Sequence, residues 1–277
     1  METLAYAKLN LSLKVLGQRA DGYHQLDMIM QRISLCDEIT ISKSDGLRVR
    51  SGQPLPPDNT LYRAAVAFFK AAGIRGGAQI FVKKNIPLQA GLGGGSSDGA
   101  AVLLALNDLY QAGLTKEALM QIGQSIGADV PFFIQGGCAR ARGTGEIITP
   151  LQNNLQCAYL LAKPVGGVST KEAYALYHEY ELSKQNIDIV GAAAAVEAGD
   201  IKAFARSAGN DLAPAALRLC PDIEGILGEM RDAQAALVTG SGSCVFGIYG
   251  DKKTAQSQME RLSKLSTVQF VYVAENR

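Results

Sequence analysis

Net charge is almost absent from this sequence: 27 basic residues stand against 26 acidic ones, a formal balance of +1. That argues against nucleic acid or an anionic membrane as a partner, since both are held by an excess of positive charge. Histidine is scarce, with only His24 and His178, which leaves little material for a His-rich metal hydrolase. The five cysteines, Cys36, Cys138, Cys157, Cys220 and Cys244, are odd in number, widely spaced and without a CxxC. Neither a disulfide framework nor a structural zinc is expected, and reduced, buried thiols are. No apolar run reaches the about 18 residues of a membrane span, and "METLAYAKLNLSLKVLG" has no signal-peptide layout, so a cytoplasmic location is expected. Internal repeats and low-complexity tracts are also missing.

What is present is a chain of 277 residues, 47% of them apolar, enough to bury a core in one large domain or two modest ones. "LAYAKLNLSLKVLG" (4–17) alternates as a half-buried strand should, and "DMIMQRIS" and "DEITISK" continue the β pattern. A loop over 52–58 precedes an amphipathic helix over 59–73 ending near Gly73, then a strand over 78–85. Helices are expected over 96–111 and 115–127, the second capped by Thr115, before β alternation returns in "GCARARGTGEIITPL". Polarity rises at "QNNLQ" (152–156), where we place a boundary between domains 1–153 and 154–277. Beyond it the pattern gives a strand at 157–163, helices near 169–180, 186–207 and 222–233, strands near 235–239 and 244–249, a helix near 251–264 and a last strand "VQFVYVA". Strands and helices interleave without a regular βαβα beat, which reads as two α+β domains.

One stretch is costly. "PLQAGLGGGSSDGA" (87–100) holds five glycines between a strand and a helix, and each gives up more backbone freedom on folding than any other residue. The position excludes a free linker. From Gly91 the second glycine of a Walker loop falls on Ser96 with no lysine after it, and Gly91, Gly93 and Ser96 break the Rossmann spacing. A phosphate cradle survives on physical grounds: bare backbone N–H groups, the hydroxyls of Ser96 and Ser97, and the positive end of the following helix. A tight turn that lets helix and strand pack, with Ser96 as a mere N-cap, stays open beside it.

The stretch "GLGGGSSDGAAVLL" (91–104) resembles the central motif of the GHMP small-molecule kinases. "AKLNLSLKVLGQRADGYHQLDMIM" (7–30), "IGADVPFF" (126–133) and "VTGSGSCVFGIY" (238–249) resemble further motifs of that family, in the same order, as its isoprenoid-pathway members carry them. The resemblance implies a two-domain α+β fold with a ribosomal protein S5 domain 2-like N-terminal half, containing a left-handed βαβ crossover, and a ferredoxin-like C-terminal half. It implies ATP-dependent phosphorylation of an alcohol on a small molecule, a cytidine diphosphate-linked methylerythritol, with Mg²⁺ as the metal and a monomer or homodimer as the assembly. Three positions depart from the pattern: Gln89 and Gly99 stand where small residues such as Gly or Ala are expected, and Ala213 stands where an acidic residue is usual.

Phosphoryl transfer asks for in-line positioning, charge neutralisation and a proton acceptor for the attacking hydroxyl. Asp129 is a carboxylate among apolar neighbours in "GADVPFF"; if buried it needs a partner. Lys8 is the charged oddity in "LAYAKLNL", and strand alternation puts Lys8 and Asn10 on one face. Taken alone, Lys8 also reads as a snorkelling strand residue and Asp129 as a cap or loop carboxylate. The resemblance makes Asp129 the proton acceptor and Lys8 the cation holding it. It assigns Pro87, Leu88, Gln89, Ala90, Gly91, Leu92, Gly93, Gly94, Gly95, Ser96 and Ser97 to ATP phosphates, and Asn59 and Lys84 to the adenosine half. Asn10, Tyr23, His24, Thr170 and Tyr174 go to the substrate, with Tyr23, His24 and Tyr174 around the cytosine. Without the family, Tyr23 and His24 after the Asp21–Gly22 turn read as a core pair. No carboxylate pair announces the Mg²⁺ ligands; Ser97 is a candidate contact.

Overall fold

The computed structural model describes residues 1–179 and 186–277. Its first half runs β1 (Glu2–Gln18), β2 (His24–Ser44), β3 (Arg48–Ser51), α1 (Thr60–Ala72), β4 (Gly77–Lys83), α2 (Gly94–Tyr110), α3 (Lys116–Gln124), α4 (Val130–Gln135), β5 (Cys138–Gly143) and β6 (Ile147–Leu151). The six strands form one sheet in the order β3-β4-β2-β5-β6, with β1 on β2. Several helix boundaries have a local cause. Asn59 caps α1 by accepting from the Tyr62 amide, Gly73 closes it in the left-handed region, and Thr115 caps α3 through the Ala118 amide. "DMIMQRIS" and "DEITISK" are one long strand, β2, whose length serves three neighbours.

The second half runs β7 (Ala158–Pro164), α5 (Thr170–Glu179), α6 (Ile189–Ala198), α7 (Ile201–Ser207), α8 (Ala213–Leu219), α9 (Asp222–Glu229), β8 (Ala235–Val238), β9 (Val245–Tyr249), α10 (Lys252–Leu262) and β10 (Val268–Ala274). Its four strands are ordered β10-β7-β9-β8, antiparallel throughout. The helix expected over 186–207 is two, because Gly199 turns left-handed and Asp200 starts a new helix by capping the Ala203 amide. Residue 180, the end of the helix expected near 169–180, lies outside the described residues. Short β3, α4 and α8 were invisible to periodicity: at four, six and seven residues they are about one or two turns or pleats long.

β1 departs from a half-buried strand. Residues 7–13 are all buried, with Ala7, Leu9 and Leu11 in a core shared with β7, β9 and α6, while Ala5, Leu13 and Val15 join the core under α1 and α2. The polar members of that run are buried too, and each has a partner. Asn10 donates its amide to Thr239 Oγ1 at 2.9 Å, and Ser12 Oγ donates to the Gly209 carbonyl at 3.1 Å. β1 is thus a central plank between the two sheets, and its polar face is what the site is built on. Among the described residues all five cysteines are free thiols, and no helix is long and apolar enough to cross a membrane.

Candidate active site

The glycine stretch folds as a loop over 87–92 and then enters α2 earlier than expected, at Gly94 with Gly93 as its cap. Ser96 is therefore inside the helix and caps nothing. Gly91 and Gly93 both have φ +71°, a conformation side chains disfavour. A Cβ on Gly91 would run into the Thr239 carbonyl, and one on Gly93 would lie 2.7 Å from the Phe133 ring and 3.1 Å from Lys8 Cγ. Packing alone thus accounts for these two glycines. The loop is laced to both sides: the Lys8 amide donates to Leu92 O at 3.0 Å, and the Ser243 and Cys244 amides donate to Gln89 O and Ala90 O at 3.3 Å. Gln89 holds φ +51° without being glycine, which is the physical content of its departure from the small residue expected there.

The loop forms one wall of a cleft of about 760 Å³. Lys8 and Asn10 from β1 reach its floor, with the Lys8 ammonium donating to Asn10 Oδ1 and lying 3.8 Å from Asp129 Oδ2. The Asp129 side chain is 30% exposed and Lys8 only 5%. Asp129 is therefore part-buried: it stands at the N-terminus of α4 with one face to the cleft and one to Lys8. Burial pulls the Lys8 ammonium below its ordinary range, and the attraction of Asp129 offsets only part of that.

Lys84 also borders the cleft, yet its ammonium is enclosed, paired with Asp37 and, at 2.6 Å, with Asp98 Oδ2. Burial lowers its pKa, and the two carboxylates outweigh burial, so the net shift is upward. At the far end of the cleft His24 stacks on Tyr174, centroids 4.1 Å apart and planes 17° apart, and its Nε2 meets Nε2 of His178. Burial, then the neighbouring His178, hold His24 below its ordinary pKa. Tyr23 beside it is 66% exposed, so Tyr23 and His24 are no core pair. Thr170 closes the remaining side through a 2.9 Å hydrogen bond with Ser241 Oγ.

Two expected residues are elsewhere. Ser97 faces away from the cleft: it is buried and donates its hydroxyl to Tyr6 O at 2.6 Å. Asn59 spends its side chain on the cap of α1 and does not line the cleft. The remaining loop residues, Pro87–Ser96, all line it.

This architecture is matched by known proteins. The family model for the GHMP kinases N terminal domain covers residues 59–137, and that for the GHMP kinases C terminal covers 192–266. A 4-diphosphocytidyl-2-C-methyl-D-erythritol kinase of Alkaliphilus metalliredigens is 43% identical over 270 residues, spanning 94% of this chain and 91% of that protein. The chain belongs to this family of GHMP kinases. A second family member, from Pelotomaculum thermopropionicum, is 40% identical over 93% of this chain and 92% of its own length. A crystal structure of 4-(cytidine 5'-diphospho)-2C-methyl-D-erythritol kinase superposes with a TM-score of 0.84 at 35% identity, covering 99% and 98% of the two chains. A homoserine kinase from Cytophaga hutchinsonii shares the fold, with a TM-score of 0.80 at 21% identity over 100% and 95%.

In this GHMP kinase the late motif "VTGSGSCVFGIY" is where sequence reasoning stopped short. It named no residue there, yet Gly240 and Ser241 line the cleft and Thr239 anchors Asn10. Asn210 fixes that turn by donating to Val238 O and Gly240 O, both at 2.7 Å. The Gly-Ser alternation was the available signal. Asp37 and Asp98, the partners of Lys84, were also missed; a lone Asp in "CDEI" or "SSDGA" carries no mark of burial.

Proposed function

We propose that this GHMP kinase transfers the γ-phosphoryl group of ATP to the 2-hydroxyl of 4-diphosphocytidyl-2-C-methyl-D-erythritol, in the methylerythritol phosphate route to isoprenoids in the cytoplasm. The observation that carries the reading is the Lys8–Asp129 pair, 3.8 Å apart, set on the cleft floor between the glycine loop and the His24–Tyr174 stack. ATP phosphates lie along Pro87–Ser96, whose helix points its N-terminal amides at them. The cytidine ring lies against Tyr23, His24 and Tyr174, and Asn10 and Thr170 contact the sugar-like chain. The division into domains 1–153 and 154–277 belongs to the same reading, supported by two sheets that end at Leu151 and begin at Ala158.

The chemistry follows from the donors present. The acceptor hydroxyl gives its proton to Asp129 as its oxygen bonds to the γ-phosphorus and the bond to ADP breaks. Lys8, a cation held with little solvent 3.8 Å from Asp129, keeps that carboxylate aimed, and its charge offsets the negative charge on the transferring group. Among the described residues no group of three or more His, Cys, Asp or Glu converges on one point. This donor set would suit a Mg²⁺ held mainly by the nucleotide rather than by an all-protein cage. Such an ion would supply neutralisation of the phosphate charge.

A coupled ATP assay on the cytidyl substrate, its uridyl analogue, homoserine and galactose tests the assignment. Turnover on the cytidyl compound with weak use of the uridyl one is expected, because His24 and the aromatic stack meet the edge and face of the base. Turnover on homoserine or galactose alone would sink it.

A further inference from the structure

The buried acid Asp98 has no part in the chemistry above, although it lies directly behind the glycine loop. It is 2% exposed on the first turns of α2. One oxygen, Oδ2, accepts from Lys84 at 2.6 Å; the other, Oδ1, is buried with no hydrogen-bond partner. Asp37, the second carboxylate on Lys84, is treated differently: besides the ammonium, it accepts from the backbone amides of Asn85 and Ile86, at 2.5 and 2.8 Å. Asp37 thus accepts from three donors and Asp98 from one.

Charge counting gives the consequence. With both acids ionised, the group carries one negative charge in excess, in a place with almost no water. A buried, half-satisfied carboxylate is costly, and a proton on one of the two acids removes the excess. Asp98, with fewer donors, is the one to take it. Burial, and then the charge of Asp37, push its pKa up to about 7 against the pull of Lys84. Those two are the charged groups that bear on Asp98; β1, α1, α3 and α4, which also pack on α2, bring it none among the described residues.

The group is within reach of a bound anion. Lys84 lines the cleft, and a Cβ on Gly94, the first residue of α2, would lie 3.6 Å from its ammonium nitrogen. A polyanion on the loop therefore meets the Asp37–Lys84–Asp98 group at one residue's remove. We infer that Asp98 is a positioning residue for the nucleotide: it takes up a proton from solvent as a nucleoside triphosphate enters the loop. This cancels the buried excess charge, so that Lys84, still paired with Asp37, no longer belongs to a net negative group behind the phosphates. The inference rests on reading the cleft as a nucleotide site, and deepens that reading by coupling affinity to a proton.

Titration calorimetry of the full chain with ATP at pH 7.5, in two buffers of different ionisation enthalpy, reads the proton directly. The wild-type protein is expected to take up a fraction of a proton that Asp98→Asn does not. Across pH 6 to 8 the wild-type Kd for ATP should weaken by up to about tenfold more than that of Asp98→Asn, one pKa unit being a factor of ten. Asp37→Asn, which leaves one acid balanced by one ammonium, should also lose the uptake. Equal proton uptake and parallel pH profiles in wild type and Asp98→Asn overturn the inference while leaving the nucleotide site intact. Absence of ATP binding to the wild type overturns the site reading itself. Should either variant fail to fold, a buffer-independent enthalpy in the wild type still refutes the inference.

Discussion

Lys8, on β1, and Lys84, just past the end of β4, border the same cleft and are held in opposite electrical states. Lys8 has one carboxylate partner, at 3.8 Å and partly in solvent, and burial wins, so its pKa falls. Lys84 has two carboxylates, both buried, and attraction wins, so its pKa rises. A desolvated ammonium with a single distant partner keeps a field that an incoming phosphoryl group can feel. One clasped by two acids is neutralised beforehand and serves the frame. The difference teaches that a lysine's presence in a site says little until its counter-charges are counted.

The sharpest way to break this contrast is at Asp129. Asp129→Asn should lower kcat by about 10²- to 10⁴-fold while calorimetry shows ATP still binding; unchanged turnover would remove Asp129 from the proton step. Next in size is a pair of stability measurements by urea unfolding. Lys84→Met strands two buried carboxylates and is expected to cost about 3–5 kcal/mol. Lys8→Met leaves only a part-exposed Asp129, which water can reach, and should cost about 1 kcal/mol or less although activity collapses. Equal losses would erase the distinction between frame and field.

The pH dependence of stability is a smaller test. Asp98 in the folded state, at about 7, stands above its ordinary 3.8, so between those values the folded chain holds a proton that the unfolded chain has lost. Stability attributable to Asp98 therefore falls as pH rises through that window, and Asp98→Asn should flatten the fall. His24 works with the opposite sign and less force. Its folded pKa is lowered, the unfolded chain binds more protons below about 6.5, and stability rises as pH climbs toward that value. A His24→Phe variant whose acid-side unfolding profile matches wild type would remove that contribution.

Much of this was legible in the sequence because it depends on local pattern. The long strands, the caps at Asn59 and Thr115, the strand–loop–helix around the glycines and the shared face of Lys8 and Asn10 follow from periodicity and turn chemistry. The errors are at places where distant chain decides. Ser97 looked like a phosphate donor because it follows three glycines; an α2 that starts at Gly94 rotates it onto Tyr6. Lys84 carries no local mark of its burial, since nothing within ten positions shows that Asp37, 47 residues away, would close over it. Asp129 has apolar neighbours in the sequence, yet Val130, Pro131 and Phe132 turn inward on α4 and leave its carboxylate facing the cleft.

The main-chain lacing of the glycine loop has a consequence in time. With the Lys8 amide of β1 and the Ser243 and Cys244 amides of the β8–β9 turn bonded into it, the loop is expected to have little breathing motion of its own. Those three amides should exchange with deuterated water on the schedule of whole-molecule unfolding, although the loop reads as the most pliable stretch of the chain. A nucleotide then meets a wall that is already set, and any yielding on entry belongs to the opposite bank, where α5 carries Thr170 and Tyr174.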